Sequence, residues 1–89
     1  DEIVQAPKDD INLPDKKKIK SSDYSIIAMN CAATKQFTKS VEYSTKAIEL
    51  DKENQEYYFE RATYYIQLKN YQKALADCHK AIEIDGEDL

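Results

Sequence analysis

The sequence has one glycine, two prolines and no tryptophan in 89 residues. Sandwiches and barrels need many tight turns, and Gly, Pro, Asn and Asp build them. So few turn breakers therefore argue against an all-β fold and favour helices. Two cysteines, Cys31 and Cys78, are too few for a disulfide framework, and neither has a metal-ligating partner at short spacing. They read as buried thiols of a reducing compartment. No apolar run approaches the roughly 18 residues of a membrane span, and no apolar h-region marks a signal peptide. The expected location is the cytoplasm, with the nucleus as the alternative. A glycine-rich phosphate loop is missing too, and so is an excess of base. The net charge is −4, and residues 1–20 are neutral, so the acidic excess lies in the body of the chain. That balance argues against a nucleic-acid binder, whose affinity comes from clustered Lys and Arg.

What is present is charge, tyrosine and a repeat. About a third of the residues are charged and seven are tyrosine. A chain of this length supports one small domain with a limited core. Both prolines, Pro7 and Pro14, fall in residues 1–20, which show no sustained helical period and read as a flexible tail or linker. The lysine cluster Lys16–Lys20 within it reads as a solvated domain entry, with a nuclear-localisation patch as the alternative.

From Ser21 the chain repeats itself. Ser21–Asn54 lies over Gln55–Asp88 without a gap, at an offset of 34 residues. Tyr24 falls on Tyr58, Ala28 on Ala62, Phe37 on Tyr71 and Lys39 on Lys73. Lys46-Ala47-Ile48-Glu49 falls on Lys80-Ala81-Ile82-Glu83, and Asp51 on Asp85. Fixed periods of about 20–50 residues belong to stacked repeat architectures. Each unit carries two helical periods. In the first unit a helix capped by Ser22 or Asp23 is expected to about Lys35, and a second from Thr38 to about Leu50. In the second unit helices are expected from Glu56 to about Lys69 and from Tyr71 to near Ile84, with Gly86 as the left-handed residue after the last. The units are thus residues 21–54 and 55–89. Phe37 and Tyr71 are expected to plug the turns between paired helices.

These positions resemble the tetratricopeptide repeat family. Counted from Gln55, the family's aromatic, small, aromatic and aromatic places hold Tyr58, Ala62, Tyr65 and Tyr71, and Ala74 and Ala81 keep the second helix small. The first unit matches with Tyr24, Ala28, Phe37 and Ala47, with Ser40 and Ser44 at small positions. Neither unit has the family's closing proline, and Arg61 stands at a usually aliphatic place. The resemblance implies an all-α fold of two tandem helix-turn-helix repeats in a short right-handed solenoid. It further implies a non-enzymatic scaffold that takes a peptide or partner helix in a concave groove. A co-chaperone or assembly factor is the implied setting, and a chaperone or its client the implied partner. The groove candidates are Ser25, Ile26 and Met29 from the first unit, with Glu56, Phe59, Glu60, Thr63, Ile66 and Gln67 from the second.

Co-chaperones of this family hold acidic C-termini with a Lys and an Asn of one repeat and an Asn of the next. Those places hold Ser25, Met29 and Glu60 here, so a carboxylate clamp is not expected. What is left is an apolar groove of Ile26, Met29, Phe59 and Ile66, for which packing between helices is the alternative role. Catalysis and cofactors are not expected. Cys78 and His79 are adjacent on a helix and point apart, Cys78 towards the core and His79 to solvent. Tyr24, Tyr58, Tyr65 and Tyr71 read as core, whereas Tyr43, Tyr57 and Tyr64 read as surface or groove edge. Two repeats also leave the last helix uncovered at Leu75, Cys78, Ile82 and Ile84. Three expectations follow from that face: a longer parent protein, with a phosphatase or isomerase domain as one form; a homodimer; or residues 3–13 folded back over it.

Overall fold

The helical periods of the sequence become four helices, α1 (Ser21–Ala33), α2 (Phe37–Leu50), α3 (Gln55–Gln67) and α4 (Tyr71–Ile84). They belong to a computed structural model that describes residues 19–85. The tail expected over residues 1–20 lies outside the described residues except for Ile19 and Lys20, and so do most of the lysine cluster, the folded-back segment and Gly86. Among the described residues there is no strand. α1 packs on α2, α3 on α4, and α2 on α3, so two helical hairpins stack into an all-α repeat.

Local chemistry sets the helix ends. α1 begins at Ser21, with Lys20 as its N-cap rather than Ser22 or Asp23. Asp23 sits in the first turn and its carboxylate accepts the Lys20 N–H at 2.9 Å, satisfying a donor the helix leaves open. Asn54 caps α3 by accepting from Glu56 N–H at 3.0 Å, and Asn70 caps α4 through Lys73 N–H at 3.4 Å. Each hairpin turns on a lysine in the left-handed region, Lys35 and Lys69, both at φ 64°. In both turns the last helical carbonyls are satisfied in the same way. Gln36 N–H donates to Cys31 C=O and Lys35 N–H to Ala32 C=O; Asn70 N–H donates to Tyr65 C=O and Lys69 N–H to Ile66 C=O. This is a Schellman ending, which glycine favours because a Cβ is strained at positive φ. The repeat places a lysine there twice, so backbone bonding outweighs that strain.

Small residues let the helices meet. Ala28, Ala47 and Ala81 have no exposed surface, and Ser40 is equally buried, its hydroxyl donating to the Ala28 carbonyl of α1 at 2.9 Å. One core cluster joins Ala47, Ile48, Tyr57, Tyr58 and Ala81, with Tyr24 and Ile84 against it. A second joins Ala28, Tyr43 and Tyr64, with Ile27, Cys31, Phe37 and Val41 among its neighbours. Tyr24 touches both clusters and stacks on Tyr43 at 6.0 Å between centroids.

Several tyrosines exchange their expected places. Tyr43, Tyr57 and Tyr64 are buried, not surface or groove edge. α3 uses two stripes: Tyr58, Ala62 and Tyr65 form one, while Tyr57 and Tyr64, two turns apart, form the other and enter the first unit's side of the core. Tyr71 is 61% exposed and plugs nothing, whereas its register mate Phe37 packs on the second cluster. Phe37 has the α3 residue Tyr64 in its cluster; among the described residues no helix follows α4 to do the same for Tyr71. For the same reason Ile82 is 44% exposed against 8% for Ile48, and Leu75 is exposed. Cys31 and Cys78 are half-buried rather than fully inside, and His79 is exposed.

Arg61 explains its odd place in the repeat. Its Nε and Nη2 donate to the two oxygens of Asp77 on α4, both at 2.8 Å, and its Nη1 donates to the Thr45 hydroxyl on α2 at 2.9 Å. The guanidinium also lies about 6 Å from the centres of the Tyr58 and Tyr65 rings. Asp77 is 5% exposed, so removing either partner strands a charge in the core. Arg61→Ala or Asp77→Ala should each destabilise the chain by about 3 kcal/mol, whereas Arg61→Met with Asp77→Leu should recover most of that loss. Urea unfolding followed by circular dichroism measures both, and additive losses in the double variant would show that the two residues act separately.

Candidate functional site

α1 and α3 are the first helices of their units, and two side-chain hydrogen bonds bring them together. The Ser21 and Tyr57 hydroxyls meet at 3.0 Å, and the Ser25 hydroxyl donates to Glu60 Oε1 at 2.8 Å. Ser25 is buried, so it is not the open groove residue that its helix position suggested. It lies one turn beyond Ser21 on α1, as Glu60 lies one turn beyond Tyr57 on α3, so the two bonds form successive rungs between the helices.

Glu60 is half-buried, and the remaining expected groove residues are exposed. Ile26 and Met29 on α1, and Phe59 and Ile66 on α3, are large apolar side chains open to solvent, as are Glu56, Thr63 and Gln67. For Ile26 and Ile66 the alternative of packing between helices does not hold: they are 51% and 47% exposed. The Thr63 hydroxyl donates back to the Phe59 carbonyl one turn earlier. Two apolar pairs on neighbouring helices thus accompany a polar crosslink. Monomer surfaces seldom gather large apolar side chains without a use for them.

The charge of this surface is one-sided. α1 carries no lysine or arginine, and the single arginine of α3, Arg61, is spent on Asp77 and Thr45. Glu56 and Glu60 are the acids of α3. Burial holds the Glu60 carboxyl above its ordinary value, the Ser25 bond opposes that, and the Glu56 carboxylate one turn away pushes it further up. Burial also raises the Tyr64 phenol, with Glu60 and Cys31 adding to it, so that ring stays neutral beside the pair. Phosphorylation of Tyr43, Tyr57 or Tyr64 would require opening the core, since all three are buried.

At the places where a carboxylate clamp has Lys, Asn and Asn, this surface has a buried serine, an exposed methionine and a half-buried glutamate. Ser25 spends its hydroxyl on Glu60 rather than on a ligand. Sequence reasoning found Glu60 but not its bond to Ser25. The available signal was the α3 stripe of Tyr57 and Tyr64, which places Glu60 between two residues facing α1. Among the described residues no group of three or more side chains is arranged to hold a metal ion, and no helix is long and apolar enough to cross a membrane.

The Glu60 shift has a direct consequence. The folded state binds this proton more tightly than the unfolded chain, so the associated stability is present at low pH and lost as pH rises through the folded value. Glu60→Gln, which keeps an acceptor for Ser25, should melt higher than the wild type at neutral pH. The difference should vanish at about pH 3, below the ordinary carboxylate range. Thermal melts at the two pH values test this, and a gain that persists in acid would assign it to another cause.

Residues 24–54 and residues 56–88 each match a model of the tetratricopeptide repeat. Comparison with curated proteins and with solved structures gives no match.

Proposed function

The chain belongs to the tetratricopeptide repeat family, and from that premise we propose that it captures a segment of a partner protein in the groove between α1 and α3. Repeats of this family generally mediate protein–protein interactions and are typically non-catalytic. The observation that carries the reading is the exposed quartet of Ile26, Met29, Phe59 and Ile66 beside the Ser25–Glu60 bond. Covering these side chains removes apolar area from water, at roughly 25 cal/mol per Å² before the costs of association. Phe59 is the aromatic anchor of the set, and methionine adapts to varied shapes. The role this fits is a scaffold in a co-chaperone-like or assembly-factor protein, in the cytoplasm, whose partner is not held by its terminal carboxylate.

A second reading, self-association, is supported by α4. Its register mates in α2 are covered by α3, while Tyr71, Leu75 and Ile82 stand open. The two readings separate by mutation. Phe59→Ala should weaken partner capture by about 2 kcal/mol, roughly thirtyfold, with an unchanged circular dichroism spectrum. Leu75→Glu with Ile82→Glu should leave that capture intact and shift any dimer to monomer in sedimentation equilibrium. Capture that survives Phe59→Ala but is lost in the α4 variant would reverse the assignment.

A further inference from the structure

We infer that the segment held between α1 and α3 carries a lysine or arginine set among apolar side chains, with the cation seated against Glu60 and Glu56. The inference rests on the groove reading and adds the chemistry of the occupant. Its ground is charge complementarity. The two helices that form the groove hold three acids, Asp23, Glu56 and Glu60, and one base, Arg61. Asp23 is spent on the start of α1 and Arg61 on α4 and α2, which leaves the two glutamates. The second helices differ: α2 has Lys39 and Lys46 against Glu42 and Glu49, and α4 has Lys73 and Lys80 against Asp77 and Glu83. Among the four helices the excess of acid is therefore confined to α1 and α3, the pair that exposes Ile26, Met29, Phe59 and Ile66.

Glu60 is also built to meet such a group. A buried hydroxyl holds its Oε1 at 2.8 Å, which fixes the side chain across the helix pair instead of leaving it free in solvent. A half-buried carboxylate has lost part of its hydration, and Glu56 nearby adds repulsion. An incoming ammonium or guanidinium replaces the lost hydration and relieves the repulsion, and ion pairs strengthen as an apolar partner excludes water. A carboxylate or phosphate would meet the opposite sign at the same place, so the groove rejects acidic segments as well as accepting basic ones. Arginine fits both glutamates through its planar fork, and lysine fits one at a time.

The test is a selection from a phage-displayed random peptide library on the whole chain. Fluorescence-anisotropy titration of the selected peptides then follows, against wild type, Glu60→Gln and Phe59→Ala. Glu60→Gln removes the charge and keeps an acceptor for Ser25, and a thermal melt verifies that it folds. The selected peptides should share a Lys or Arg beside apolar residues. Glu60→Gln should weaken them about tenfold, and replacing the peptide's cation with methionine should weaken them as much, with no further loss when the two changes are combined. Peptides without a shared cation, or peptides indifferent to Glu60→Gln yet lost with Phe59→Ala, would overturn the inference and leave the groove standing. Failure to select any peptide, or binding insensitive to both variants, would overturn the groove reading along with it.

Discussion

The stack of two hairpins depends on the guanidinium of Arg61. From α3 it reaches α4 through both oxygens of Asp77 and α2 through the Thr45 hydroxyl, and it lies against the rings of Tyr58 and Tyr65. A charge this enclosed is tolerable only because its partner is bidentate and its remaining donors find an acceptor. The Asp77 hydrogen bond is the first cause of the raised Arg61 pKa, so the guanidinium keeps its charge, and the geometry of the fork sets how α3 lies between its neighbours. The first unit makes the equivalent contact without an Arg–Asp pair. The register mates of Arg61 and Asp77 are Ile27 and Tyr43, and Tyr43 stacks on Tyr24 beneath Lys46.

That difference has a functional side. Because Arg61 is turned into the repeat, it does not neutralise the outer face of α3, and Glu56 and Glu60 set the charge there. The Ser25–Glu60 bond then makes one of those acids part of the contact between first helices. Structure and surface charge are coupled at this point: the residue that joins α1 to α3 is also the one that a ligand in the groove would meet.

Repetition of sequence does not produce repetition of environment. Phe37 and Tyr71 share a place in the repeat, as do Ile48 and Ile82, yet one of each pair is packed and the other lies open. A solenoid covers each unit with the next, so burial is a property of the stack and not of the unit. The small positions behave alike in both: Ala47 and Ala81 are fully buried because they face the partner helix within their own hairpin or the one beside it. At Ser44, the mate of Cys78, the buried hydroxyl has no hydrogen-bond partner among the described residues, so a small side chain is accommodated there without a polar contact.

The helix periods, the offset between units, the small positions and the apolar side chains on the first helices were all legible in the letters, because each depends on spacing along the chain. So was the mismatch at Ser25, Met29 and Glu60. The bond between Ser25 and Glu60, the three-helix reach of Arg61 and the burial of Tyr43, Tyr57 and Tyr64 were not, since each joins residues from different helices. Even the left-handed lysines were hidden, for nothing in a lysine announces positive φ. Sequence by itself determined the elements and the chemistry each can present. Tertiary structure alone decided that both the Tyr58–Ala62 and the Tyr57–Tyr64 stripes of α3 turn inward while Phe59 and Ile66 stay open, and which polar atoms meet, because packing chooses among faces that a single helix offers equally.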